Sequence, residues 1–305
     1  MLVVVFGTGR CGSTPIAEVI SRHREVGFVS NLDDKLSQLN LRGRGNNLLH
    51  RLSPPRDPAM RPLRNRTKFL ELGRLRIAPA EAWNVLDRQV APIMSTPFRD
   101  LVAEDCTPWL NRRLRDFYER RMAAQNRRIF VQHLTGWPRA GFIRAAFPDA
   151  RFIHVVRDGR AVANSWLQMG WWRGYLGPAA WHLGPLSQDY ADEWERSGNS
   201  FVVLAGLGWR ILIEAFERAR VEVPAAQWMQ VRYEDVIADP RRQFSAMLDF
   251  IGLPWTADFE RQFVNYPFVS GRVEGFRRDL DAVSLAALER TIAPTLRSVG
   301  YETSV

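Results

Sequence analysis

Residues 7–14 have the composition and spacing of an anion-binding loop. They read Gly-Thr-Gly-Arg-Cys-Gly-Ser-Thr and follow an apolar run over residues 2–6. A glycine-rich turn between a strand and a helix can surround an anion with amide N–H groups at the positive end of the helix. Ser13 stands where a nucleoside triphosphatase has its lysine, and the cation Arg10 lies inside the loop. We therefore expect a diphosphate-like anion that needs no metal ion; a purely structural strand-to-helix turn is the alternative.

A second candidate anion site follows the apolar run 152–156. Arg157 comes directly after that run, and Ser165 follows about two helical turns later. An arginine at a strand tip presents a flat fork of donors that suits phosphate or sulfate oxygens. Arg157 and Ser165 therefore predict a clamp for a second phosphate. A surface ion pair between Arg157 and a nearby aspartate is the alternative.

In this order the two elements resemble the sulfotransferase superfamily, which transfers a sulfuryl group from 3′-phosphoadenosine 5′-phosphosulfate (PAPS) to an acceptor hydroxyl or amine. The resemblance implies PAPS as co-substrate and no metal ion. It assigns Arg157 and Ser165 to the 3′-phosphate, and it gives Arg10 the position of a loop cation beside the leaving phosphate. It assigns the 5′-phosphosulfate to six loop residues: Gly9, Arg10, Cys11, Gly12, Ser13 and Thr14.

Two later segments extend the resemblance, which covers residues 1–34 and 128–301. Val-Arg-Tyr-Glu-Asp places Tyr233 where relatives have a tyrosine against the adenine, although a core tyrosine is the alternative. Residues 271–280 resemble the basic loop that closes on the 3′ side of the nucleotide. The resemblance therefore implies that Arg277 and Arg278 complete the phosphate clamp, with one solvated arginine as the alternative.

Sulfuryl transfer to a hydroxyl also needs a group that takes the proton. His133 is the first candidate, because it ends a predicted strand at the place where cytosolic relatives carry a catalytic histidine; Thr135 replaces the proline of that motif. Asp33 and Asp34 are the second candidates, since many bacterial and Golgi-type relatives use a carboxylate soon after the first helix. A hydrogen-bonded structural histidine and a helix N-cap are the alternatives.

The elements that must position these groups alternate along the chain. Short apolar runs predict strands at residues 2–6, 129–131, 151–156 and 228–232. Amphipathic segments predict helices at residues 13–22, 80–94, 109–126, 138–147, 159–169, 209–220, 240–251 and 284–297. This alternation predicts an α/β fold, a mostly parallel central sheet flanked by helices in a three-layer sandwich like that of P-loop NTPases. Ligands bind beyond the carboxyl ends of such strands.

Residues 36–128 interrupt this pattern and have no counterpart in the resemblance. We expect one sulfotransferase domain over residues 1–305, with 36–128 as an insertion that forms a substrate cap or lid. Residues 42–68 contain eight cations, one acid and four prolines, which favours an irregular basic excursion. Such a segment could attract an anionic acceptor or contact a membrane surface.

The acceptor is expected to be a carbohydrate, a lipid or another small molecule. Tryptophans and a tyrosine crowd residues 166–181, where they predict either an acceptor-binding wall or a core cluster below a loop. The oligomeric state stays open.

The composition narrows the function classes. The chain has 305 residues and a net charge of +9, with 40 arginines against two lysines. Two cysteines and no signal-like or membrane-spanning segment predict a cytoplasmic protein. A P-loop kinase of a nucleoside or small metabolite and a basic nucleic-acid-binding protein are the competing functions. The first lacks the lysine of its loop, and the second lacks a recognition helix, so we expect no nucleic-acid partner.

Overall fold

The computed structural model describes residues 1–55, 76–95, 97–268 and 273–303. Within them five strands form one sheet: β1 (Leu2–Gly7), β2 (Val26–Phe28), β3 (Ile129–Thr135), β4 (Arg151–Val156) and β5 (Trp228–Arg232). Every neighbouring pair is parallel, and the order across the sheet is β2-β3-β1-β4-β5. The predicted α/β class with a parallel sheet is confirmed.

Helices connect the strands. In the described ranges the α-helices are α1 (Ser13–Ile20), α2 (Asn31–Lys35), α3 (Asn46–Leu52), α4 (Trp83–Gln89), α5 (Pro108–Gln125), α6 (Ala140–Ala146), α7 (Gly159–Leu167), α8 (Gln188–Arg196), α9 (Phe201–Glu222), α10 (Tyr233–Ala238), α11 (Pro240–Phe250), α12 (Ala257–Phe263), α13 (Phe276–Asp279) and α14 (Ala282–Ser298). Short 3-10 turns lie at Ser37–Leu39, Pro92–Met94, Ala103–Asp105, Gly174–Leu176 and Ala225–Gln227.

Both faces of the sheet are buried, which explains why its strands are apolar without alternation. Val4 and Phe6 of β1 belong to a core shared with α4, α5, α6 and α9. Val3 and Val5 point the other way, into a core shared with α1, α11 and α12. Successive strand residues face opposite sides of a sheet, so a strand covered on both sides needs apolar residues throughout. The result is the expected arrangement of helices, sheet and helices.

The structure differs from the sequence-based elements where local patterns are weak. Three residues with a central glycine form β2, a strand too short to stand out in the sequence. Its ladder with β3 and the Gln125 side chain, which accepts from the Phe28 amide at 3.1 Å, hold it in place. Helix α9 begins eight residues earlier than its amphipathic stripe, at the Ser200 cap, since its first half is buried nearly all round. The predicted helix 80–94 is shorter and splits into α4 and a 3-10 turn.

The order of the strands creates a crevice at the carboxyl end of β1. The chain leaves β1 through α1 toward β2 on one side, whereas after β3 it crosses β1 to reach β4 on the other side. Connections that run in opposite directions leave a gap above the strand between them. The loop after β1 and the ends of β3 and β4 therefore converge on one place.

The insertion 36–128 is partly described. Its residues 76–81 run beside the end of β2, where the Asn31 amide donates to Ala78 O at 2.9 Å and the Ala80 amide donates to Val29 O at 3.0 Å. Residues 42–55 include α3, so this part of the basic excursion is not wholly irregular. Residues 56–68 of the excursion lie outside the described residues. None of the helices in the described residues has the length and apolar character needed to cross a membrane.

The histidines predict how stability depends on pH. Burial lowers the pKa of all five histidines. It lowers the pKa of His154, which lies on β4 and stacks on Phe216 of α9, to about 3. Below about pH 6.5 these histidines bind more protons in the unfolded chain than in the folded one, so their contribution to the free energy of unfolding falls as the pH falls, down to about pH 3 for His154. Each such histidine adds a slope of up to about 1.4 kcal/mol per pH unit.

We expect His154→Phe to remove one of these contributions while keeping the stack on Phe216. Urea unfolding between pH 5 and pH 8 measures the effect. The variant and the wild type should differ least at pH 8, where both side chains are neutral, and the variant should lose less stability at pH 5. Parallel curves for the two proteins would contradict this reading.

Candidate active site

The loop after β1 has the backbone of an anion cradle. Gly9, Arg10 and Gly12 adopt positive φ angles of 79°, 58° and 93°. Left-handed residues turn successive amide N–H groups toward one side of a loop, and a non-glycine residue such as Arg10 adopts this conformation at an energetic cost. Helix α1 begins at Ser13, so the positive end of its dipole adds to the same field. The fold therefore supplies what the glycine spacing predicted.

Tyr233 closes the space beside this loop. A Cβ atom on Gly12 would overlap the ring of Tyr233, which means that only glycine allows the loop and the ring to approach so closely. The Arg157 guanidinium lies 4.9 Å from the centre of the same ring, a cation–π contact. Tyr233 therefore lies between the predicted loop and the predicted arginine, as a candidate surface for a flat ligand.

The two predicted phosphate sites are adjacent. Arg157 donates from Nη1 to the main-chain carbonyl of Arg10 at 3.0 Å. Arg10 in turn donates from Nε to Ser165 Oγ at 2.9 Å. One continuous cluster therefore contains Arg157, which follows β4, together with Ser165 of α7 and Arg10 of the loop. These side chains are close enough to share a single ligand.

His133 contacts the loop through Ser13. Its Nε2 lies 2.9 Å from Ser13 Oγ, which also accepts from Cys11 Sγ at 3.5 Å. Both His133 and Ser13 are 2% exposed. Burial lowers the pKa of His133, although the negative charges of Glu81 and Glu18 act to raise it. Burial also raises the pKa of the Cys11 thiol. At neutral pH His133 is thus an uncharged imidazole and Cys11 a thiol. Thr14, next in the chain, is partly exposed.

Asp33 and Asp34 both have structural partners. Asp33 is buried and accepts from the Ser30 amide and hydroxyl at 2.8 Å each and from Asn46 Nδ2 at 2.6 Å, so it forms a capping box for α2. Asp34 accepts from the Val85 amide at 3.0 Å and from Asn84, and so caps α4. Neither aspartate is itself an N-cap residue, since both lie within α2, whose N-cap is Ser30.

Glu81 is a carboxylate that sequence patterns did not single out. It belongs to the insertion, yet its main-chain carbonyl accepts from Gln132 of β3 at 3.0 Å, and its carboxylate accepts from Trp83 Nε1 at 2.5 Å. Burial lowers the pKa of His133, and the negative charge of Glu81 opposes this more strongly than that of Glu18. No local motif marks Glu81, because the insertion reaches β3 only through tertiary contacts.

The C-terminal arginines lie on α13, which contacts the helix of Ser165. Asn164 of α7 donates to Asp279 at 3.0 Å. Arg277 and Arg278 are exposed and paired with Glu274 and Asp279. Both side chains are therefore in reach of water beside α7. Gly271 and Arg272, which belong to the same predicted loop, lie outside the described residues.

The aromatic segment after α7 divides into two parts. Trp166, Trp172 and Trp181 are buried in a core cluster, while Trp171 and Tyr175 are about half exposed. Trp166 also donates from Nε1 to Gly9 O at 3.4 Å, so this cluster supports the loop. The rings of Trp171 and His182 each lie within 6.5 Å of that of Trp166, which leaves part of an aromatic surface open next to the loop. The buried tryptophans therefore form the predicted core cluster, while an acceptor-binding role for the exposed residues stays a prediction.

The described residues contain no group of three His, Cys, Asp or Glu side chains that could hold a metal ion. The groups that gather at the crevice are instead amides, hydroxyls and the two guanidinium groups of Arg10 and Arg157, which suit a ligand with phosphate or sulfate groups at two positions.

Comparisons with known proteins point the same way. A family model described as Sulfotransferase family matches residues 3–257. Sulfotransferase STF9 from Mycobacterium avium superimposes with a TM-score of 0.54 at 15% identity, over 99% of this chain and 77% of that one. The sulfotransferase domain from the curacin biosynthetic pathway gives a TM-score of 0.53 at 12% identity, over 99% of this chain and 98% of that one. At these identities the two likenesses establish a shared fold.

Gly12→Ala tests the close approach of Tyr233 to the loop. The new methyl group would meet the tyrosine ring, and alanine would also be strained at φ 93°. Gly136→Ala is the matched control, because Gly136 has φ 83° and open space where its Cβ would lie. We expect the control to lose about 1 kcal/mol of unfolding free energy from backbone strain. Gly12→Ala should lose roughly 1–3 kcal/mol more from overpacking. Equal losses in urea unfolding would mean that Tyr233 does not pack on the loop.

Proposed function

Because the chain belongs to the sulfotransferase family and is therefore a sulfotransferase enzyme, we propose that its sulfuryl donor is PAPS and that the acceptor is a hydroxyl or amine. The observation that carries this proposal is the contact between the two half-sites, Arg157 with the Arg10 carbonyl and Arg10 with Ser165. One donor with a phosphosulfate at one end and a phosphate at the other matches this pair. The family assignment decides against the kinase alternative.

In this proposal each half-site holds one end of the donor. The amides of the loop and the partly exposed Thr14 bind the 5′-phosphosulfate, while Arg157 and Ser165 bind the 3′-phosphate. Tyr233, between them, offers its ring to the adenine. The exposed Arg277 and Arg278 on α13 complete the 3′ side. The arginine forks and the loop amides are the donor types that phosphate oxygens prefer.

When bound, PAPS supplies the sulfuryl group and a phosphate that can leave. Transfer of this kind is driven by positioning and by neutralising charge rather than by covalent chemistry of the protein. Arg10 and the loop amides face the end where negative charge grows, and they are held in place before the reaction. Preorganised donors of this sort stabilise the transition state more than the ground state.

We propose Glu81 as the group that takes the proton from the acceptor. The sequence-based candidates have other partners: His133 contacts Ser13, and Asp33 and Asp34 cap helices. Glu81 is half-buried beside β3, where its main-chain carbonyl accepts from Gln132, and the Trp83 indole fixes one of its carboxylate oxygens. A carboxylate at this position can meet an acceptor that approaches the loop from the side of the insertion.

We further propose that the acceptor lies between the insertion and the aromatic surface. Residues 76–83 bring Glu81 and Trp83 to one side, and the half-exposed indole of Trp171 lies on the other. An exposed indole next to polar groups suits a sugar ring, a lipid or another small molecule. In this proposal the insertion acts as a substrate cap.

Calorimetry with adenosine 3′,5′-bisphosphate in EDTA tests the donor site. We expect metal-free binding to the wild type and a loss of affinity of at least about 100-fold in Arg157→Ala, since a buried charge-assisted pair to phosphate is worth several kcal/mol. Arg120→Ala is the matched control, because Arg120 is an exposed arginine on α5 that pairs with Asp116 in the same helix. Tight binding of ATP in place of the bisphosphate, or a requirement for magnesium, would overturn the proposal.

Transfer of labelled sulfate from PAPS into a cell extract tests the proton acceptor. Glu81→Gln should lower the rate about 100-fold or more, the usual contribution of a general base, while leaving the affinity for the bisphosphate unchanged. Glu104→Gln, the same change at an exposed site, should have no effect on the rate. If Asp33→Asn or Asp34→Asn gives the rate loss and Glu81→Gln does not, the carboxylate has been misassigned.

A further inference from the structure

A buried hydrogen bond joins β3 to the first residue of α1. His133 lies opposite Val5 in the ladder between β3 and β1, on the side of the sheet that α1 covers. From there its Nε2 reaches Ser13 Oγ at 2.9 Å, across 120 residues of sequence. The bond therefore ties the anion-binding end of α1 directly to the sheet.

The start of α1 needs such a tie. Helices usually fix their first turn with a side chain at the N-cap, but here the N-cap is Gly12, which has no side chain to do so. Gly12 must be glycine because Tyr233 packs against it. A loop with three left-handed residues and no cap has few local restraints, so the bond to His133 restrains the orientation of the amides at residues 12–14.

The same bond separates His133 from the acceptor. A general base must reach the proton that it removes, directly or through one water. His133 and the Ser13 hydroxyl it contacts are both 2% exposed, whereas the neighbouring Thr14 and Thr135 are partly exposed. Glu18 of α1 and Glu81 of the insertion are the charged groups that act on the imidazole.

We propose that His133 is a positioning residue which acts through Ser13: it holds the start of α1 so that the loop amides face the 5′ end of the donor, and it exchanges no proton with the acceptor. The inference rests on the proposed donor site. It assigns the histidine of β3 to affinity for the nucleotide rather than to the chemical step.

Binding of adenosine 3′,5′-bisphosphate to four variants tests this role by calorimetry. His133→Ala and Ser13→Ala should each raise the Kd about tenfold, since each removes one buried hydrogen bond. The double variant should be no worse than either single one, because both changes remove the same bond. His133→Gln should restore the Kd to within about threefold of the wild type, since its amide nitrogen can replace Nε2 and still cannot act as a base.

His23→Ala is the matched control for a merely structural effect. His23 is buried and bonds to Pro254 O at 3.2 Å, away from the loop, so its loss should lower stability and leave the Kd unchanged. If His133→Ala binds the bisphosphate as the wild type does, the inference is overturned while the donor site stands. If His133→Gln keeps full affinity but loses sulfate transfer completely, His133 is the base and the inference is overturned. If the wild type binds no bisphosphate, the donor site fails and this role fails with it.

Discussion

The approach of the Arg157 guanidinium to the main chain of Arg10 is the contact on which the site depends. Arg157 donates to the Arg10 carbonyl, Arg10 donates to Ser165, and the Arg157 guanidinium lies over the Tyr233 ring. These contacts join the loop after β1 to the end of β4 and to α7, so the two candidate half-sites form one unit. Tyr233 also packs against the loop, which allows only glycine at position 12.

The parallel sheet makes this contact possible. Because β1 lies between β3 and β4, the loop after β1 is flanked by the ends of both neighbours. One neighbour contributes the imidazole of His133 below the loop, and the other contributes Arg157 beside it. Burial on both faces fixes the strands, and buried hydrogen bonds such as that of Ser13 with His133 transfer this rigidity to a loop that has little of its own. The site is therefore rigid on the donor side.

The acceptor side that we propose is built differently. Its groups come from the insertion and from the segment after α7: Glu81, Trp83 and Trp171. These are loop and short-helix residues whose positions depend on contacts with the sheet edge rather than on membership of it. Loops attached to a rigid sheet can vary without loss of the donor site, so acceptor choice is expected to reside there.

The sequence alone determined the parallel α/β fold and where the two candidate anion sites lie, because each depends on a short pattern: an apolar strand followed by glycines, or an apolar strand followed by arginine. Only the tertiary structure decided that Arg10 bonds to Ser165, that His133 bonds to Ser13, that Asp33 and Asp34 serve as caps and that Glu81 reaches the end of β3. Those pairs are separated by 155 and 120 residues in the first two cases, and local propensity carries no information about such distances. A short strand such as β2 was hidden for the same reason, since the partners that stabilise it lie about a hundred residues away.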